Sequence, residues 1–297
     1  MTLAPRVVVV HRRTELDELL DRHGTRGQAE FFLRVRGRDL AEVQQRHDAV
    51  GSALQVVSAA IPSGWRRGGV ERSDLHRFLF DPEDLVVVVG QDGLVANTAK
   101  YLSAQPIIGV DPEPGRNPGV LVPHAPESVP PLLADVIGGT ASLLRRTMVS
   151  ATTDDGQELV GLNEVYLGHP SHQSARYLLT TPDGEAERQS SSGLLVGTGT
   201  GATGWLRSAW QERQSLLPLP GPADPLLGWF VREAWPSPFT GTTQTEGVYD
   251  GTGVLQVLVE SDALVVFGDG LETDHLTPTW GQLVTVRVAG RTLDCVV

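Results

Sequence analysis

Three short segments carry residue types that could do chemistry, and each sits where an apolar run ends or begins. The first is Gly90-Gln91-Asp92-Gly93, between the apolar run Leu85–Val89 and a helical pattern that starts near Leu94. Glycines let backbone amides approach a phosphate, and the N-terminus of a following helix aims further amides and a positive dipole at the same spot. A carboxylate beside a phosphate is repelled unless a cation bridges the two or the carboxylate takes a proton from an incoming hydroxyl. Asp92 therefore leaves two readings open, an ordinary strand-to-helix turn and a phosphoryl-transfer site.

The second segment is Gly197-Thr198-Gly199-Thr200-Gly201-Ala202-Thr203-Gly204. Gly199, Gly201 and Gly204 have the spacing of the dinucleotide fingerprint, but that fingerprint needs a second strand ending in an acidic residue about 20 residues on. The chain has Leu217-Pro218-Leu219-Pro220-Gly221-Pro222 there. What remains is a loop offering amides and hydroxyls to a polar ligand, or a structural loop. The third segment, Leu162-Asn163-Glu164-Val165-Tyr166-Leu167, opens an apolar strand with two polar residues suited to a sugar or carboxamide, or to a strand-edge turn. His169-Pro170-Ser171-His172 lacks a nearby carboxylate or cysteine to complete a metal site, and reads as a solvated turn. Asp269-Gly270, after the apolar run 263–267, also reads as a turn.

Composition narrows the partners. The 297 residues include 36 acidic and 24 basic side chains, a net charge of −12, so a nucleic acid or an anionic membrane would meet net repulsion. Neither is expected as a partner. Cys295 is the single cysteine, which excludes an internal disulfide and any zinc site built on several thiolates, and fits a reducing, cytoplasmic compartment. The apolar runs are far short of the roughly 20 residues of a membrane span, and the N-terminus lacks a signal-peptide core. Lys100 is the only lysine, so no P-loop can be formed.

The elements that must position these segments fall into two textures. In the first part, Val7–Val10, Leu54–Ile61, Leu85–Val89 and Ile107–Val110 read as buried parallel strands. Helical patterns lie between and after them: Glu15–Asp21 capped by Thr14, Asp39–Val57, Leu94–Leu102, and Pro126–Val136 beyond the connector Asp111–Pro123. Strands alternating with helices predict a parallel α/β sheet over residues 1–138. Residues 139–297 read as β-rich: 142–152, 159–167, 175–181, 185–190, 194–196, 254–260, 263–267 and 283–288, with a hairpin at Pro182-Asp183-Gly184, one helix over Thr203–Arg213 and a proline-broken loop 217–225.

Taken in order, the three segments resemble the NAD kinase family, which carries a G-G-D-G loop after a strand, an Asn-Glu or Asn-Asp pair opening a strand, and later a D-G-L, strand, T-P-T-G-S-T-A-Y segment. The nearer likeness is to the mitochondrial-type branch, through Ile107–Glu113 with the Arg-x-x-Gly that follows, Ser191-Ser192-Gly193-Leu194, Thr198–Gly201, Trp205, Val231-Arg232-Glu233 and Val265–Gly270. The resemblance implies an N-terminal α/β domain with a parallel sheet, a C-terminal β-sandwich-like domain and a substrate cleft between them. It implies transfer of the terminal phosphate of ATP, with Mg2+ or another divalent cation, to the adenosine 2′-hydroxyl of NAD, giving NADP. Asp92 would be the catalytic base, and Gly90, Gln91 and Gly93 the phosphate loop. Asn163, Glu164, Ser192, Thr200, Thr203, Trp205 and Ser208 would bind NAD, and a homodimer is expected.

The departures fall in the segment with the chemistry. Gln91 replaces the second glycine and Leu94 the usual threonine, putting a bulky amide where backbone should approach phosphate. Thr203 stands where that branch has lysine. The rival readings are a catalytically weak NAD(P)-binding sensor and a kinase of the same fold acting on another nucleoside, sugar or lipid.

Overall fold

The computed structural model describes residues 4–116 and 119–297. Asn117 and Pro118, inside the Arg-x-x-Gly segment, lie outside the described residues. The chain divides into two units: one runs to Leu144 and takes back Asp294–Val297, and the other is Arg145–Leu293. This division falls slightly later than residue 138. The Val297 N–H donates to the Ser142 carbonyl at 3.0 Å, which ties the segment beyond 138 to the first unit.

The first unit contains β1 (Arg6–His11), α1 (Glu15–His23), α2 (Arg26–Arg34), α3 (Leu40–Ala60), β2 (Arg66–Glu71), β3 (Asp84–Val89), α4 (Asp92–Ala99), β4 (Ile107–Val110) and α5 (Val129–Gly138). The strands run β2-β1-β3-β4, all parallel. Val7, Leu85, Val87, Val89, Ile108 and Val110 pack with Ala53, Val57, Val129 and Leu133 of α3 and α5. Thr14 caps α1, as the sequence predicts, and it does so in a reciprocal capping box with Asp17.

The run Leu54–Ile61, expected as a strand, belongs to the end of α3 and its cap. Ala53, Val57 and Ile61 recur every four residues, all are buried, and the helical period prevails over the local apolar density. The strand at that place in the order is β2, Arg-Arg-Gly-Gly-Val-Glu, whose polar sequence suits an edge with one neighbour. The sequence pattern does not announce α2 either; Ala29 and Leu33 bury it against Leu16, Leu19, Leu40 and Val43.

A two-pronged ion pair pins the starts of β1 and β3. Arg6 Nε and Nη2 donate to the two oxygens of Asp84 at 2.6 Å each, and the Asp81 amide adds a third bond at 2.8 Å. The Asp84 side chain is fully buried, whereas that of Arg6 retains 25% exposure and can rehydrate. Asp84→Ala is therefore expected to lower stability by about 2 kcal/mol, through the stranded amide and lost pairing. Urea titration checks it, and an unchanged midpoint would contradict it.

The second unit is built from β5 (Leu143–Thr153), β6 (Glu158–Gly161), β7 (Glu164–Gly168), β8 (Ala175–Thr180), β9 (Ala186–Ser191), β10 (Gly193–Gly197), α6 (Trp205–Glu212), β11 (Leu226–Arg232), β12 (Glu246–Asp250), β13 (Leu255–Val259), β14 (Val265–Gly268), β15 (Leu271–Leu276) and β16 (Leu283–Val296). The order β12-β11-β10-β7-β14-β15 forms one antiparallel sheet. The other joins β16, β13, β8 and β9, with β5 on β16 and β6 on β5. Alternate residues of both sheets, among them Val165, Leu167, Val196, Trp229 and Val266 against Val149, Tyr177, Val257 and Val284, share one core, which makes the unit a sandwich. The end of β16 returns to the first unit, where Cys295 lies opposite Ile107 as a parallel partner of β4.

The hairpin at 182–184 joins β8 and β9, with Gly184 at φ 89°. The single segment expected over 159–167 is instead β6 and β7, separated at Leu162-Asn163. β11, β12 and β15 lie outside the strands that the sequence pattern predicts.

Candidate active site

All six residues of β3 are buried, and the strand delivers the chain to Gly90 at its carboxyl end. The Gly90 N–H donates to the Val110 carbonyl at 3.0 Å. A Cβ on Gly90 would stand 3.0 Å from Leu94 Cδ2, so the unusual leucine packs into the space the glycine leaves. Gln91 is the N-cap of α4, exposed, with φ −106° and ψ 167°. That is extended backbone open to any residue, and glycine is not required there. Gly93 is also exposed, and a Cβ on it would meet nothing within 4 Å.

Asp92 is half-buried and held by a segment that nothing in the sequence connects to it. Its Oδ2 accepts from the Val120 amide at 2.8 Å and its Oδ1 from the Leu121 amide at 2.9 Å. A Cβ on Gly119 would stand 2.2 Å from Asp92 Oδ1. The carboxylate thus fits only because residue 119 has no side chain. Two bonds use about half of its four acceptor positions, leaving it able to receive a proton.

If the turn receives the phosphates of ATP, as the resemblance implies, Gln91→Gly is expected to leave the fold intact and to hold or lower KM for ATP, because the glutamine backbone already has the shape the turn needs. The stability cost is about 1 kcal/mol at most, from backbone entropy. Steady-state kinetics with thermal unfolding checks this, and loss of most of the rate in a folded variant would show Gln91 acting in catalysis directly.

In the second unit, Asn163 and Glu164 form the turn into β7, with Asn163 half-buried and Glu164 buried. Thr198, directly after β10, ties this turn to the glycine-rich loop. Its N–H donates to the Asn163 carbonyl at 2.9 Å and its hydroxyl to the Leu162 carbonyl at 2.6 Å. The same Oγ1 accepts from the amides of Thr200 and Gly201 at 3.1 and 3.2 Å. The glycines serve close backbone packing: a Cβ on Gly201 would lie 2.2 Å from the Asn163 carbonyl oxygen, and one on Gly199 1.8 Å from that of Gly221.

Buried Arg146 on β5 donates to the Thr200 hydroxyl at 3.3 Å. The Thr203 hydroxyl donates to the Thr200 carbonyl at 2.8 Å. Trp205 stacks on Tyr166 with ring centroids 5.3 Å apart, and the Arg232 guanidinium lies 5.6 Å from the Trp205 ring. The Tyr166 hydroxyl donates to the Ser192 carbonyl. Burial raises the pKa of that phenol, with Arg232 opposing and Glu233 adding to the rise. Asn163 and Thr200 are thereby joined through Thr198, and Ser192 and Trp205 through Tyr166. Ser208 is exposed one helical turn after Trp205, its hydroxyl 3.4 Å from the Gly204 carbonyl. The sequence alone does not single out Thr198, Tyr166 and Arg146 for these roles; the polar cluster around them is the signal that could have drawn attention.

His169 accepts from the Ser171 amide at 3.1 Å within its turn. Among the described residues no group of three or more His, Cys, Asp or Glu side chains is arranged to hold a metal ion, and no helix is long and apolar enough to cross a membrane.

An α/β unit with a Gly-x-Asp-Gly turn and a β-sandwich with an Asn-Glu turn define the fold class, and solved structures give its type. A crystal structure of an NAD kinase from Archaeoglobus fulgidus in complex with ATP matches with a TM-score of 0.59 at 16% identity, covering 98% of this chain and 93% of that one. The fold is therefore that of an NAD kinase. Curated relatives agree: an NAD kinase of Pseudomonas putida is 28% identical over 226 residues, 72% of this chain and 71% of the relative. One of Hahella chejuensis is 35% identical over 135 residues, 42% and 44% of the two chains. One of Chlorobaculum tepidum is 23% identical over 141 residues, 47% of each. The chain spans about half the length of several of these relatives. No protein-family model matches it. The chain is thus similar to NAD kinases in fold and, over part of its length, in sequence.

Proposed function

We propose that this chain is an NAD kinase, transferring the γ-phosphoryl group of ATP to the adenosine 2′-hydroxyl of NAD. The observation that carries the reading is the Asp92 carboxylate, held by the Val120 and Leu121 amides at the start of α4, directly after the glycine turn. On this reading Asp92 accepts the 2′-hydroxyl proton as that oxygen attacks phosphorus and the bond to the ADP leaving group breaks. The backbone of Gly90, Gln91 and Gly93 receives phosphate oxygens. Asn163 and Glu164 hold the ribose, while Thr200, Thr203, Trp205, Ser208 and Ser192 line the rest of the NAD site.

A divalent cation would enter as part of the donor, MgATP, neutralising charge on the transferring phosphoryl group. The extended, exposed Gln91 supports a working phosphate loop over the sensor reading. The motifs around Ser191–Leu194 and Thr198–Gly201 support the mitochondrial-type branch, the lone Cys295 supports a cytoplasmic location, and the family resemblance supports a homodimer. Incubation with MgATP and NAD, reading NADP, tests the activity, with polyphosphate as a parallel donor. A folded protein that forms no NADP with either donor would sink the proposal, and sedimentation tests the dimer.

A further inference from the structure

We propose that Asp269 is a positioning residue for the NAD side of the reaction, fixing the attitude in which Asn163 and Glu164 meet their ligand. This rests on the reading of those two residues as the ribose-binding pair. Asp269 Oδ2 accepts from the Leu162 amide at 2.9 Å, and Oδ1 accepts from the Asn163 amide at 2.7 Å and the Glu164 amide at 3.3 Å. The Asp269 N–H donates to the Glu164 carbonyl at 3.1 Å. One carboxylate therefore collects three successive amides of the turn from a position more than a hundred residues away.

The chain is shaped to put it there. β14 pairs with β7 up to Gly268 opposite Val165, and the register of β14 against β15 shifts between Phe267 and Gly268. Such irregularities re-aim the residues beside them. Asp269 itself has φ 53°, one of three positive values among the described non-glycine residues, a conformation that Asp tolerates better than most. A Cβ on Gly161 would lie 2.6 Å from the Glu164 carbonyl oxygen, so the close approach needs glycine there, and one on Gly268 would lie 3.2 Å from it, a tight contact.

The opposite edge of the turn is held as well. Thr198 takes the Leu162 and Asn163 carbonyls, so amides and carbonyls are satisfied from the residues that follow two different strands, β14 and β10. Once its backbone is held on both sides, the turn has a single arrangement in which to present the Asn163 and Glu164 side chains. A carboxylate suits this task because it only accepts, with room for three donors, whereas an asparagine amide would turn N–H toward N–H.

Two variants separate positioning from folding. Asp269→Asn keeps the shape and the tolerance of positive φ, and Asp269→Gly removes the carboxylate while relieving any strain. Both are expected to raise KM for NAD by about tenfold or more, with KM for ATP within about twofold, and to speed hydrogen exchange of the Leu162–Glu164 amides. A parallel rise in both KM values that tracks a fall in Tm, or an unchanged KM for NAD, would overturn the proposal. Should the wild type form no NADP, the reading of the site fails, and exchange alone decides on Asp269: unchanged exchange at Leu162–Glu164 in both variants overturns the positioning role.

Discussion

Asp92→Asn is expected to lower kcat by about 10²–10⁴-fold, the usual contribution of a positioned general base, while the dissociation constants of NAD and ATP stay within a few fold. The amide has nearly the shape of the carboxylate, so the start of α4 and the glycine turn are left as they are. It can accept only through its single oxygen, so one of the two bonds from Val120 and Leu121 is lost, which costs about 1 kcal/mol of local stability. Calorimetric binding beside steady-state kinetics separates the effects. Turnover near wild type would remove Asp92 from the mechanism, and a matching loss of NAD affinity would make it a binding residue.

The second large effect is expected at Gly119, which touches no substrate on the proposed reading. The consequence of alanine there is steric. The new Cβ would stand 2.2 Å from Asp92 Oδ1 and 2.8 Å from Val122 Cγ2, distances that neither group can keep. The carboxylate has to swing off the Val120 and Leu121 amides. A misplacement of about 1 Å in a reacting group costs on the order of 100-fold, so Gly119→Ala should lose about that much in kcat with NAD affinity kept. A fully active Gly119→Ala enzyme would show that the base works without its clamp. The double variant with Asp92→Asn should be scarcely slower than Asp92→Asn alone, since both act on one group.

What is legible in the sequence is what is local. Leu85–Val89 is apolar throughout because β3 is buried on both faces, and Gly90-Gln91-Asp92-Gly93 announces a strand-to-helix turn within four letters. The Thr14 cap is legible for the same reason. The parts that hold the site are not legible, because they act through backbone amides supplied from far along the chain. Gly119 and Thr198 both stand in motifs that carry the family likeness, but that Gly119 decides where the Asp92 oxygens go, and which carbonyls Thr198 caps, does not show in the type or neighbours of either residue. Gln91 shows the converse: a substitution inside a motif looks disabling by letter, yet its backbone angles are ones any residue adopts. The run at 54–61 misleads because apolar density is shared by strands and helix faces, and the four-residue recurrence of Ala53, Val57 and Ile61 decides the matter.

The return of Asp294–Val297 to the first unit has a consequence for biosynthesis. During translation β4 emerges well before its second neighbour and carries Ile107-Ile108-Gly109-Val110, an apolar edge whose eventual parallel partner is Cys295. Until that segment leaves the ribosome, the nascent first unit exposes an unpaired, sticky strand edge, the kind that recruits other chains. Vectorial folding of the first unit therefore stays incomplete until the whole of the second has been synthesised. Ribosomes stalled after the second unit but before residue 294 should display nascent chains that still engage chaperones and are cut by protease near 107–110.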